Sequence, residues 1–320
     1  MGDARRRREE RAKAPCICGS DKAGGDCCFD GRWWHKQPSQ LDLKALPPSE
    51  AHAKCYMREL GSCDGPISGE HLISESIIHL LAQDGNFTVS GLPWIPSGEF
   101  KAIGPKSLTA NCLCRNHNSR LSPLDEAARR FFATLIECLE REATSTTFIA
   151  SGHDIERWLL KTLKAMAESD NLTSDGHKLS GAFPSDVHVL DMLDAPDRWP
   201  PGAGLYCIMK AGDLTQNHKR FKLQPLTNSA GEIEGLWTDI IGLSFVLFFR
   251  PIAKAKRVEW ANAKFRPGQI VISYPGSTNR LLLSWADGHQ HNENLLLELV
   301  EPSATAAERV LKPTASRLNL

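Results

Sequence analysis

The sequence predicts an α+β protein built from small units, and three observations carry that prediction. Nine of the ten cysteines precede residue 140, in two groups. Apolar residues recur at helical spacing in two stretches between residues 122 and 168. From about Pro184 the chain turns into short apolar runs separated by glycine and proline, the texture of strands. The 320 residues, 41% hydrophobic, suffice for a sizeable core and exclude a wholly disordered chain. The longest apolar run, Ile240 to Phe249, has the length of a buried strand and falls short of a membrane span. Met1 to Lys13 is charged and lacks the apolar centre of a signal peptide, so the expected location is cytoplasmic, with no membrane association. Structural disulfides are rare there, and the cysteines therefore point to metal. With 38 basic and 38 acidic groups, no global charge announces a nucleic-acid partner.

Along the chain, residues 1–14 carry Arg5 to Arg8 and Arg11 with almost nothing apolar, and read as a disordered basic tail. Residues 15–36 form a cysteine element that also holds Trp33 and Trp34. Residues 37–54, with Pro38, Pro47 and Pro48, read as a linker. The next unit, 55–145, ends in a helix that Ser122, Pro123 and Asp125 are expected to start, with Leu124, Ala128, Phe131, Leu135 and Leu139 as its stripe. A helical connector over 146–183 follows, capped by Asp154, with Ile155, Trp158, Leu159 and Met166 on one face. A β-rich C-terminal domain spans 184–301. Its expected strands are Leu205–Met209, Phe221–Leu226, Ile240–Phe249, Gln269–Tyr274 and Arg280–Trp285, mostly antiparallel. Residues 302–320 read as a tail.

Cys16, Cys18, Cys27 and Cys28 lie within 13 residues. Gly19, Gly24 and Gly25 allow the sharp turns that bring four thiolates onto one tetrahedral zinc ion. So small an element has no core of its own, so the metal would be its folding energy. Free or redox-active thiols, with Cys27 and Cys28 as the vicinal pair, are the alternative. The pattern Cys-x-Cys, eight residues, Cys-Cys, with Gly19 and Ser20 after the second thiolate, resembles the SEC-C motif of the SecA translocation ATPase over about residues 15–36. That resemblance implies an accessory zinc element that contacts other macromolecules, including a protein partner.

Cys55 and Cys63 open the second group, and Cys114 and His117 have the spacing of a zinc knuckle running into a helix. Together they would make a Cys3His site, with Cys112 as a spare able to exchange with one of them. The order Cys55, Cys63, Glu70-His71, Cys114, His117-Asn118 resembles the HNH, or ββα-metal, endonucleases over about residues 55–125. The first pair is wider than the family's, His71 is followed by Leu-Ile-Ser, and the central asparagine has no clean counterpart. Thr109 sits nearest its expected place, and Asn111 lies two residues on.

The resemblance implies a DNA endonuclease, with RNA as the other nucleic acid such a site can take. His71 would be the general base, and Glu70 and Asn118 oxygen ligands of a catalytic Mg²⁺ or Mn²⁺. Asn111 is the candidate to orient His71. The structural complement would be two Zn²⁺, and the sequence specifies no oligomeric state. The competing expectation is a catalytically inactive zinc adaptor that binds nucleic acid or protein.

Weaker signals remain. Residues 250–266 carry six basic groups against Glu259 and suggest a phosphate-tracking surface, while residues 55–142 hold eight basic and eleven acidic groups. His289 and His291 read as a polar turn, and Cys138 and Cys207 as core thiols.

Overall fold

The computed structural model describes residues 2–44, 51–82, 86–92, 95–96, 98–140, 145–169, 173–174, 177–178, 182–208, 214–215, 220–252, 263–274, 276–285, 294–301 and 310–313. Its helices are α1 (Gly2–Lys13), α2 (Glu75–Leu81), α3 (Arg115–Glu140), α4 (Gly152–Glu168) and α5 (Val189–Asp194). With its sheets they make an α+β fold, and no helix among the described residues is long and apolar enough to cross a membrane.

α1 replaces the expected disordered tail. Arg5–Glu9 and Arg6–Glu10 pair one turn apart on its surface. Its C-terminal end rests on the cysteine element, where the Gly24 amide donates to the Ala14 carbonyl at 2.8 Å. The expected linker is likewise packed in its described part. Leu41 and Leu43 are buried, and the Ser39 amide and hydroxyl donate to the Asp154 carboxylate at 3.0 Å.

α3 begins eight residues before the expected proline start and carries Pro123 inside it. Proline has no N–H to offer the Ser119 carbonyl one turn back. The Ser122 hydroxyl donates to that carbonyl at 2.7 Å, so the helix continues through the proline without an orphaned acceptor. α4 also starts earlier than expected. Ser151 is its cap, accepting from the Asp154 amide at 3.2 Å, and Asp154 lies inside the first turn. α4 is buried on nearly every side, including the positions that an amphipathic reading would leave to water. Its charges are satisfied inside the protein. Arg157 meets Asp154 at 2.6 Å, and Glu156 takes the Arg266 guanidinium at 2.7 Å and the Leu205 amide at 2.7 Å. Arg266 therefore turns inward, away from any phosphate-tracking surface; residues 253–262 of that basic stretch lie outside the described residues, as do His289 and His291.

Two larger sheets flank this helical centre. One has seven strands in the order Ala263–Phe265, Gly204–Ile208, Leu243–Phe248, Ile233–Ile240, Arg220–Thr227, Phe87–Ser90 and Lys101–Ile103. The other has six, in the order Thr147–Ser151, Ser277–Ser284, Gln269–Tyr274, Asn294–Glu301, Val310–Pro313 and Leu214–Thr215. Most pairings are antiparallel, but Phe87–Ser90 and Thr147–Ser151 join C-terminal strands in parallel. One hydrophobic core runs from Leu41 to Trp285, so the expected divisions 37–54, 55–145, 146–183 and 184–301 are not separations in packing. The reason is that long-range strand pairing leaves no mark on local composition. Within the expected 302–320 tail, Val310–Pro313 pairs in the second sheet, and the rest lies outside the described residues.

The run Ile240 to Phe249 is not one strand. It folds back at Ile241 and Gly242, both at positive φ (55° and 75°), so that Ile240 faces Leu243 across a two-residue hairpin turn. Isoleucine is costly in that conformation, and burial of the whole Ile241 side chain offsets the strain.

Candidate metal centres and active-site cleft

The first cysteine element brings Cys16, Cys18, Cys27 and Cys28 together, with their four sulfur atoms within 4.8 Å of one another. Cys18 and Cys28 each stand close to Cys27, at 3.6 and 3.5 Å. Ligands about 2.3 Å from a central zinc are spaced much like this. The Ser20 hydroxyl contacts the Cys18 and Cys27 sulfurs at 3.3 and 3.4 Å, and this helps bring the Cys18 thiol down to about 6 despite its burial. The element docks on the second sheet. The Ile149 amide donates to the Ile17 carbonyl at 3.2 Å, and Ser284 Oγ meets the Lys36 amide at 3.0 Å and His35 Nδ1 at 2.9 Å.

The second centre joins Cys55, Cys63, Cys114 and His117, all buried. His117 Nδ1 lies 3.3 Å from Cys55 Sγ, 3.8 Å from Cys63 Sγ and 3.2 Å from Cys114 Sγ. Burial lowers the His117 pKa and favours the neutral imidazole that a metal requires. Both clusters thus have the donor types and mutual distances to hold zinc. Cys112 is buried outside the second cluster, which Cys55, Cys63, Cys114 and His117 complete without it. Cys138 and Cys207 are buried as well.

The second centre closes the chain around a strand pair. Ile67–His71 runs antiparallel to Thr109–Cys114, and α3 follows directly. The first amides of α3 find carbonyls in the Cys63 loop, Arg115 donating to Pro66 at 3.1 Å and Asn116 to Asp64 at 3.2 Å. Between Ser68 and Glu70 the register slips, so that Asn111 and Cys112 oppose Gly69 alone.

Beside this frame lies a cleft of about 220 Å³ lined by Gly69, Glu70, His71, Ser74, Glu75, Ser76, Asn118, Asp125 and Lys161. It holds three of the four expected site residues. His71 is half-buried. Asn118 is fixed by its Nδ2, which donates to Ser68 Oγ at 3.1 Å and leaves Oδ1 as an acceptor. Asn111 does not line the cleft; the bulge leaves it exposed, and Thr109 is the residue opposite His71. No described residue therefore orients the His71 ring through a hydrogen bond.

Sequence reasoning missed Lys161 and the role of Asp125. Lys161 Nζ sits 2.7 Å from Glu70 Oε1 and 2.6 and 2.8 Å from the Asp125 oxygens. The Glu70 approach is a close buried ion pair. Burial raises the Glu70 pKa, with Lys161 opposing it. Burial works against the charge on Lys161, but the two carboxylates outweigh it and hold its pKa above the ordinary lysine value. Ser74 Oγ donates to Asp125 Oδ1, and Trp158 Nε1 donates to Ser74 Oγ at 2.7 Å, so α4 supplies both ends of this chain. The available signal was a lysine three positions after Trp158, on the apolar side of its helix.

Glu70 has a second oxygen with no hydrogen-bond partner among the described residues, and Asn118 Oδ1 is open. Those oxygens fit a hard divalent cation, although a lysine already stands on the same carboxylate. Comparison with known proteins finds no matching family model, no matching curated protein and no matching solved structure.

Proposed function

We propose that the protein is a divalent-metal-dependent, HNH-type endonuclease that hydrolyses DNA phosphodiester bonds. The observation that carries this reading is the gathering of Glu70, His71 and Asn118 into one cleft beside a strand pair and helix that a Cys3His centre ties together. His71 accepts the proton of the attacking water, the task to which an imidazole is suited near neutral pH. Glu70 and Asn118 would hold the ion, and Mg²⁺ or Mn²⁺ bound there would supply electrophilic stabilisation of the phosphate. The basic α1 and the SEC-C-like element add phosphate or protein contacts, and the setting is the cytoplasm, where the thiolates stay reduced.

A second reading has its own support. The exposed position of Asn111 and the pairing of Glu70 with Lys161 suit a zinc adaptor that has lost catalysis. The test is nicking of supercoiled plasmid in Mg²⁺ or Mn²⁺ by the zinc-loaded protein and by His71→Ala. Loss of a general base lowers the rate on the order of a hundredfold or more. Equal nicking by both proteins removes His71 as base, and no nicking by either on single- or double-stranded substrates favours the adaptor.

A further inference from the structure

Lys161 reaches the cleft from α4, outside the stretch that carries the zinc ligands and His71. Its side chain is 4% exposed, as buried as that of Glu70 beside it. It is not a surface ion pair that water weakens. It lies between two carboxylates, and Asp125 is itself held by the Ser74–Trp158 chain. A divalent cation approaching Glu70 meets this ammonium on the same carboxyl group.

We propose that Lys161 is the resident cation of the cleft, a positioning residue that orients Glu70 and competes with the divalent ion for its charge. Glu70 and Asp125 carry two negative charges, and Lys161 leaves only one to attract a free ion. The cleft thus binds Mg²⁺ or Mn²⁺ weakly by itself. Taking the ion for a catalytic one rests on the nuclease reading; the competition does not, because it concerns binding alone.

The experiment is a titration with Mn²⁺ alone, read by the paramagnetic resonance of the free ion, on the full-length zinc-loaded chain without nucleic acid. Lys161→Met is expected to bind Mn²⁺ on the order of a hundredfold more tightly than the wild type, since a unit charge a few ångströms away is removed. Lys161→Arg keeps the weak affinity, and adding Glu70→Gln to Lys161→Met abolishes the gain. Unchanged or weaker binding by Lys161→Met with two zinc ions retained overturns the proposal. Should that variant fail to fold, Asp125→Asn decides: it leaves Glu70 alone with Lys161 and is expected to weaken Mn²⁺ binding at least about tenfold, and wild-type affinity overturns the proposal. Loss of plasmid nicking with this binding pattern intact counts against the nuclease reading and leaves the role of Lys161 standing.

Discussion

The two cysteine clusters both rest on thiols, four in the first and three with an imidazole in the second, and they differ in mechanical effect. The first closes within 13 residues, and the few apolar groups packed on it include Ile17 and Trp34 of its own element and Ile149 and Leu282 of the sheet below. The second joins Cys55 to His117, 62 positions apart, and its three cysteines belong to the main core. A metal in the first organises a surface element that is then docked. A metal in the second ties a loop to the start of α3 and supports the strand that carries Glu70 and His71. Sequence distance between ligands, more than ligand type, separates a local clasp from a structural keystone.

The largest expected effect therefore comes from the second centre. His117→Ala should lower zinc from two ions to one per chain and abolish the cooperative thermal transition. A structural zinc is worth about 10 kcal/mol or more, which rivals the whole stability of a domain. Metal analysis with near-ultraviolet circular dichroism checks it, and two zinc ions with a native transition would break the contrast.

Cys27→Ser should remove one zinc as well, but confine the damage. Amide exchange should accelerate over residues 2–36 and along Thr147–Ser151 while α3 and α4 keep their protection. Accelerated exchange throughout would mean that both clusters are keystones. The smallest effect is expected at the docking contact. Ser284→Ala removes the hydroxyl that meets Lys36 and His35, at a cost of about 1 kcal/mol, seen as earlier local exchange in residues 15–36 with zinc content unchanged.

Local chemistry was readable from the sequence where it depends on short spacing. Cysteine positions located both clusters, and the resemblance to the HNH order singled out Glu70, His71 and Asn118, which the fold brings into one cleft. Asn111 was misplaced because a bulge changes which side chain faces the cleft without changing the spacing. Lys161 was hidden for another reason. Its partners lie 91 and 36 positions away, and only tertiary packing brings them to it on the apolar face of α4. The hairpin at Ile241 and Gly242 is invisible in the sequence because an isoleucine at positive φ inside an apolar run sends no local turn signal except the glycine after it.

Thr147–Ser151 is the outermost strand of its sheet, and the Ile17 carbonyl of the first cysteine element takes the amide of Ile149. A bare strand edge is a template on which another chain can add itself. A metal held by that element would thus double as a guard on the edge: zinc starvation would release a sticky border as well as a loose element, and would turn loss of an ion into self-association.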